Sequence, residues 1–462
     1  MFVGREKELA ALNKLFAEDC FQMVVIYGRR RIGKTTLISE FISGKPAIFF
    51  TAQEINDAMN LAQFSKKIYS HFDIPESAGA FGNWSSAFEF LAKKAKERRF
   101  VLAFDEFPYA VSANRSLKSI LQTAIDHDFK DSGLFMILCG SQVGFMENEV
   151  LGYKSPLFGR RTAQMKLDGF GYSDAGKMLG SFCVEDRIKL YACVGGTPHY
   201  LSQIKASESF EENIKRLFFD ISGYLYNEPM MLMQQELREP ALYNSITAAI
   251  AGGATRLNEI AAKISEDSPK VSKYLQTLVN LQIVRKAYPF GENPQNSRRG
   301  IYRIADNCYN FWYRFVFLNK PEIESGNGEI IADTEVFGDK LSSYIGRLPF
   351  ETICLQYLQS ANISGALPFA ATSFGSWWGN DPKEKSQTDF DVIAANRNSG
   401  QLVIGECKWR GSANLAGEVR KLRSKEHLLA EFSDRYYYVF LKNPPKEWQK
   451  EDRVTVVTAE ML

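Results

Sequence analysis

With 462 residues, 45% of them apolar and 13% aromatic, the chain is long enough for roughly two to four domains with well-buried cores. Its 56 Lys and Arg against 54 Asp and Glu leave a formal charge of +2, which excludes a global basic field, so any nucleic-acid contact must come from a local patch. Seven scattered cysteines without a C-x-x-C and four dispersed histidines argue against a zinc cluster or disulfide framework. No apolar run reaches membrane-spanning length, so a cytoplasmic protein that does not touch a membrane is expected.

Met1-Phe2-Val3-Gly4-Arg5-Glu6 has no leader-like pattern, and Leu9 to Phe16 has the spacing of an amphipathic helix. Met23-Val24-Val25-Ile26-Tyr27 is a short apolar, β-branched run that reads as a buried strand. It feeds Gly28-Arg29-Arg30-Arg31-Ile32-Gly33-Lys34-Thr35, which is G-x-x-x-x-G-K-[ST], and a helix opens at Thr36. Strand, glycine-rich loop and helix in that order make a phosphate cradle: Gly28 and Gly33 permit tight turns that aim N–H groups at a phosphate, and the helix N-terminus adds partial positive charge. Residues Gly28 to Thr36 are therefore the expected ATP site, with Lys34 reaching the β- and γ-phosphates and Thr35 holding Mg²⁺.

Further strands are expected at Ala47–Ala52, at Phe100–Glu106 and at Leu134–Gln142, with helical stretches through Phe72 and over Trp84–Leu91. Asp105-Glu106 closes an apolar run, which places both carboxylates at the C-terminal edge of a parallel sheet, where ligands bind. Asp105 is expected to hold Mg²⁺ through water, and Glu106 to orient or deprotonate the attacking water. Arg160 and Arg161, before a strand at Ala163–Leu167, are either an arginine finger for a neighbouring subunit or a solvated or salt-bridged pair.

From Phe170 the pattern turns helical, interrupted by Gly195-Gly196-Thr197-Pro198, a breaker followed by a helix start. Between Glu239 and Ala305, helices over Ala241–Ala251, Leu257–Ile264 and Ser268–Leu278 precede two strands near Leu281–Lys286 and Gly300–Ile304. This is the order of a winged helix-turn-helix. Lys270, Ser272, Lys273 and Gln276 on its third helix and Arg298 and Arg299 near the wing tip suit DNA contact; the alternative is an interdomain lever. An aromatic helix over Asp306–Val316 is read as core, and Glu322–Ala332 as a linker.

The last domain starts near Glu335, with Glu351 on a helix, then Trp377-Trp378, a loop and a hairpin. The hairpin places Asp391 on one strand and Glu406 and Lys408 on the next, with Glu406 and Lys408 on one face. Asp391 and Glu406 suit Mg²⁺ or Mn²⁺, Lys408 suits positioning water or stabilising a phosphorane, and Glu351 is placed to join them. A Lys/Arg-rich helix, Arg420–Lys425, and an aromatic strand, Tyr436–Leu441, follow.

Asp391…Glu406-Cys407-Lys408 resembles the PD-(D/E)xK nuclease fold, and Gly195-Gly196-Thr197-Pro198-His199-Tyr200-Leu201 resembles a G-G-x-P-x-Y-L signature of bacterial and archaeal ATPases. Together with the phosphate loop and Asp105-Glu106, these motifs make the chain resemble prokaryotic AAA+/STAND-related P-loop ATPases with a winged helix and a C-terminal nuclease-like domain of unassigned function. The resemblance implies an α/β fold. Its parts are a P-loop NTPase core of the additional-strand type (1–169), a helical lid (170–238), the winged helix (239–320) and a restriction-endonuclease-like α/β domain (335–462). It implies an ATPase of the catalytic-glutamate type, a γ-phosphate sensor at Ser141 or Gln142, and an adenine role for the segment before Leu9. One departure is Asp389-Phe390-Asp391 where the family carries Glu-hydrophobic-Asp. The function expected is an ATP-dependent switch acting on DNA, by cleavage or only by binding DNA or a protein partner; RNA is a further substrate, and a homo-oligomer is compatible with the pattern.

Overall fold

The computed structural model describes residues 2–237, 239–445, 449 and 451–462, so Arg238, the last residue of the expected lid, lies outside the described residues. The chain forms two compact units, Met1–Gly169 and Phe170–Leu462. No helix of the described residues is long and apolar enough to cross a membrane.

In the first unit, helix α1 (Glu6–Phe16) precedes β1 (Gln22–Tyr27), α2 (Lys34–Ile42) and β2 (Ala47–Thr51), followed by β3 (Phe100–Asp105), β4 (Leu134–Gly140) and β5 (Ala163–Lys166). All strands are parallel, in the order β2-β3-β4-β1-β5. β4 is thus an additional strand between the one that feeds the glycine-rich loop and the one that ends in Asp105. Every residue of β1, β3 and β4 is buried, as strands covered by helices on both faces require. Alternate residues of β1 serve opposite faces: Val24 and Ile26 pack with Leu12, Leu37 and Phe41, whereas Met23 and Val25 join Phe50, Phe64, Trp84 and Phe104.

The second unit begins with short helices. It continues with α3 (Pro240–Ala251), α4 (Leu257–Lys263) and α5 (Ser268–Asn280), then the antiparallel pair β6 (Val284–Ala287) and β7 (Ile301–Ile304). Helix α6 (Leu348–Ile363) leads to β8 (Ser373–Asp381), β9 (Ser386–Asn396) and β10 (Gln401–Lys408), and α7 (Leu415–Ser424) connects β10 to β11 (Asp434–Leu441) and β12 (Val454–Thr458). The sheet order is β12-β11-β10-β9-β8, antiparallel from β8 to β10 and parallel from β10 to β12. One buried cluster runs from Phe170 through Ile250, Leu275, Trp312 and Leu358 to Phe440. Trp312, fully buried, donates its indole N–H to the Tyr226 carbonyl at 2.7 Å.

One expectation needs correction. Glu322–Ala332 is not a linker but a series of helical turns with Ile323 and Ala332 buried. Its two glycines serve different ends: a Cβ at Gly328 would lie 1.9 Å from the Phe219 carbonyl oxygen, whereas Gly326, at φ 90°, turns the chain between helical segments. Trp377 and Trp378 lie within strand β8, whose alternation is broken by Gly375, Gly379 and a bulge between Gly375 and Trp377.

The Gly195-Gly196 breaker has a similar origin. Gly195 closes a helix at φ 77°, and Gly196 accepts from the Phe170 N–H at 2.6 Å, so close that a Cβ there would meet the Phe170 oxygen at 1.9 Å. Gly196→Ala is expected to destabilise the protein by about 1–3 kcal/mol in urea unfolding. Gly176→Ala is expected to be neutral or stabilising by about 0.5–1 kcal/mol, because Gly176 sits within helix Tyr172–Met178 with nothing within 4 Å of its would-be Cβ.

Candidate functional site

β1 ends at Tyr27, whose carbonyl accepts from the Leu167 N–H at 2.7 Å. A Cβ on Gly28 would lie 2.2 Å from the Leu167 oxygen, so only glycine lets the loop leave the sheet here. Gly33, at φ 86°, reverses the chain into α2, which begins at Lys34. Lys34 is 6% exposed, and its ammonium donates to the Gly28 and Arg29 carbonyls at 2.9 and 2.8 Å. Burial pulls its pKa below the usual lysine value, against the nearby Cys139, Glu106 and Asp105. Ile32 is buried against the core, Arg30 donates to the Tyr109 hydroxyl at 2.9 Å, and Thr36 is exposed on the first turn of α2. Arg31 holds a left-handed backbone, φ 69°.

The two motifs meet at the sheet edge. The Thr35 hydroxyl donates to one Asp105 carboxylate oxygen at 3.2 Å, and the Glu106 N–H donates to the other at 3.0 Å. From β4, the Cys139 thiol faces Asp105, its pKa pushed up by burial and by that carboxylate. Glu106 itself sits at φ 49°, ψ 43°, a conformation that costs a non-glycine residue energy and clusters at functional sites. Its carboxylate accepts from the Ser141 hydroxyl at 2.9 Å and the Ser141 N–H at 3.3 Å. Ser141 therefore grips the neighbouring carboxylate, and Gln142 stands half-buried beside it. Arg160 makes a two-pronged ion pair with Asp126 at 2.8 and 2.6 Å within its own unit, as the salt-bridged alternative has it; Arg161 is half-buried next to it. Sequence reasoning also missed Arg5, which bonds to the Ile32 carbonyl at 3.4 Å and to the Asp168 carbonyl, tying the start of α1 to the loop.

In the second unit the structure brings Asp391, Glu406, Lys408 and Glu351 together from β9, β10 and α6. The β9–β10 ladder ends at the Val392–Gly405 pair, and the Asp391 carboxylate then takes the next N–H, that of Cys407, at 2.7 Å. Lys408 pairs with one oxygen of Glu406, so the two do share a face. The other Glu406 oxygen is buried without a hydrogen-bond partner. Burial and the neighbouring Glu406 push Asp391 up to about 7. Burial and Asp391 hold Glu351 well above the carboxylate range, opposed by Arg303. Burial opposes the Lys408 charge, but Glu406 outweighs it and keeps that pKa above the usual lysine value. Among the described residues, no three Asp, Glu, His or Cys side chains are arranged to ligate a common cation.

The expected DNA-contact residues are all exposed. Ser272, Lys273 and Gln276 are exposed on α5 opposite buried Val271, Leu275 and Leu278, and Lys270 is paired with Glu266 at 2.9 Å. Arg298 and Arg299 are both exposed; Arg299 also pairs with Glu292 and lies over the Trp377 ring at 5.8 Å.

Residues 2–204 match a family described as an ATPase domain predominantly from Archaea, and residues 312–421 match a family of archaeal and bacterial proteins of unknown function. An uncharacterized protein of Methanocaldococcus jannaschii is 30% identical over 412 residues, covering 89% of this chain and 88% of that protein. The chain belongs to this archaeal-type P-loop ATPase family. It is an ATPase, and the matched span holds the Gly28–Thr35 loop and Asp105-Glu106. An uncharacterized ATP-binding protein of the same organism is 44% identical over 45 residues, 10% of this chain and 76% of that protein. A Walker-type ATPase of Pyrococcus abyssi shares the fold, with a TM-score of 0.53 and 20% identity over 68% of this chain and 96% of that one. For this family member, Lys34→Ala is expected to weaken ATP binding at least about tenfold in calorimetric titration, since one buried charge-assisted contact is worth roughly 1.5–3 kcal/mol.

Proposed function

We propose that the chain is an ATP-dependent switch whose nucleotide state controls DNA binding and cation-dependent phosphodiester cleavage by its C-terminal α/β sheet. The observation that carries the cleavage reading is Glu406: its second oxygen is buried without a partner, beside Asp391 and Lys408. A buried carboxylate oxygen without a partner is costly unless a ligand uses it.

At the first site Thr35 and Asp105 would hold Mg²⁺, and their hydroxyl–carboxylate contact at 3.2 Å supports that role. The charged Lys34 ammonium would hold the phosphates, and Glu106, once released by Ser141, would take the proton of the attacking water. Ser141 would then report whether a γ-phosphate is present, with Gln142 beside it.

At the second site Asp391 and Glu406 fit Mg²⁺ or Mn²⁺, which prefer carboxylate oxygens. A divalent cation there supplies Lewis-acid polarisation of a phosphodiester. Lys408 would orient the attacking water or offset charge on the phosphorane. The order α6-β8-β9-β10-α7-β11, with the acidic residues on β9 and β10, supports a PD-(D/E)xK-like reading of residues 335–462. The order α3-α4-α5-β6-β7 likewise supports a winged helix within 239–320, with Lys270, Ser272, Lys273, Gln276, Arg298 and Arg299 available to contact DNA. Residues 170–238 would serve as the helical lid.

A second reading is a non-nucleolytic regulator whose last domain only binds DNA or a partner. It is favoured by the Lys408–Glu406 ion pair, which satisfies one carboxylate oxygen without any cation. Mn²⁺-dependent degradation of double-stranded DNA separates the two. Wild type is expected to cleave, and Glu406→Ala and Lys408→Ala are each expected to lose about a hundredfold or more in rate. A wild type that cleaves under no nucleotide condition would leave the regulator reading standing.

A further inference from the structure

Arg303 on β7 stands directly opposite Arg285 on β6. Like charges facing one another across a hairpin destabilise it, so an opposing charge must lie nearby. The nearest is Glu351 on α6, 3.9 Å from the Arg303 guanidinium. Arg303 is itself fixed in place: its guanidinium lies over the Trp378 ring at 5.4 Å. The loop joining β6 to β7 is fastened to β8, with the Phe290 N–H donating to the Ser376 carbonyl at 2.8 Å and the Trp378 indole to the Arg299 carbonyl at 3.2 Å. The hairpin therefore presses a held cation against Glu351.

Asp391 also neighbours Glu351, and Glu406 neighbours Asp391, with a side chain 10% exposed and one oxygen without a partner. No three carboxylates converge among the described residues. The third carboxylate is the one the hairpin holds.

We propose that Arg303 is a positioning residue of the carboxylate site: it keeps Glu351 turned to the β6–β7 hairpin, and displacement of the hairpin frees Glu351 to join Asp391 and Glu406 around one divalent cation. The inference rests on the cation-site reading of Asp391 and Glu406. It gives the α3–α5 module a direct mechanical route to that site, because β6 follows α5 in the chain and β7 carries Arg303. A ligand engaging the exposed face of α5 would act on Glu351 through β6, β7 and Arg303. No bond is made or broken; an ion pair is exchanged for ligation of a metal.

The test is Mn²⁺ binding to the full chain by electron paramagnetic resonance, reading the fraction lost in Glu406→Gln. Arg303→Gln is expected to bind Mn²⁺ roughly tenfold tighter or more than wild type, in the range of typical site–site couplings. Arg285→Gln removes the like charge that faces Arg303 but makes no ion pair with Glu351 itself, and is expected to stay within about threefold. In Glu351→Gln, adding Arg303→Gln is expected to bring no gain. Equal gains from the two arginine variants, or a gain that persists without Glu351, would show only an electrostatic field and overturn the proposal while leaving the cation site in place. Absence of Glu406-dependent Mn²⁺ binding in both wild type and Arg303→Gln would overturn the cation-site reading and the positioning role with it. Thermal unfolding of each variant separates these results from loss of fold.

Discussion

A carboxylate at the end of a buried apolar strand must be answered by its neighbours, and this constraint organises both halves of the chain. Asp105 is 4% exposed at the end of β3, and Glu406 is 7% exposed near the end of β10. A charge placed so deep costs several kcal/mol unless it is hydrogen-bonded or paired. At Asp105 the answer is complete: the Thr35 hydroxyl takes one oxygen and the Glu106 N–H the other. At Glu406 it is half complete, with Lys408 on one oxygen and nothing on the second. The difference separates a closed nucleotide-site geometry from one with a coordination position to spare.

The same constraint explains the strain around each site. Glu106 adopts a left-handed backbone so that its carboxylate reaches the Ser141 N–H and hydroxyl at the end of the adjacent strand. The Lys34 ammonium, buried and with a lowered pKa, finds the loop carbonyls of Gly28 and Arg29. In the second unit two arginines tolerate each other across a hairpin because Glu351 stands before them. In each case a polar group of one motif is held by a group from a different element, so that a ligand entering the site must exchange partners rather than fill an inert space.

What the sequence made legible follows from how local each feature is. The Gly28–Thr35 loop is readable because a strand, two glycines and a helix start fix a phosphate cradle within a few residues, and the structure adds only why Gly28 admits no side chain. Asp105-Glu106 and Glu406-Cys407-Lys408 are readable because buried strands leave polar residues only at their ends, on a period of two. The rest depends on contacts far apart in sequence. Nothing near Arg160 announces Asp126, nothing near Ser141 announces Glu106, and nothing near Arg303 announces Glu351. The helical turns of Lys320–Val336 were obscured by Gly326, which turns the chain at φ 90°, and Gly328, which approaches Phe219, and β8 by glycines and a bulge amid its tryptophans.

The central claim is that nucleotide state governs what the C-terminal sheet does. The most direct measurement is Mn²⁺-dependent DNA degradation by the full chain with ATP, with ADP and with no nucleotide, alongside Glu106→Gln, which is expected to bind ATP without hydrolysing it. The account predicts that degradation differs severalfold between ATP and ADP, and that Glu106→Gln with ATP stays at the ATP-state level throughout the time course. Degradation at one rate under all three conditions, with Glu106→Gln indistinguishable from wild type, would contradict it.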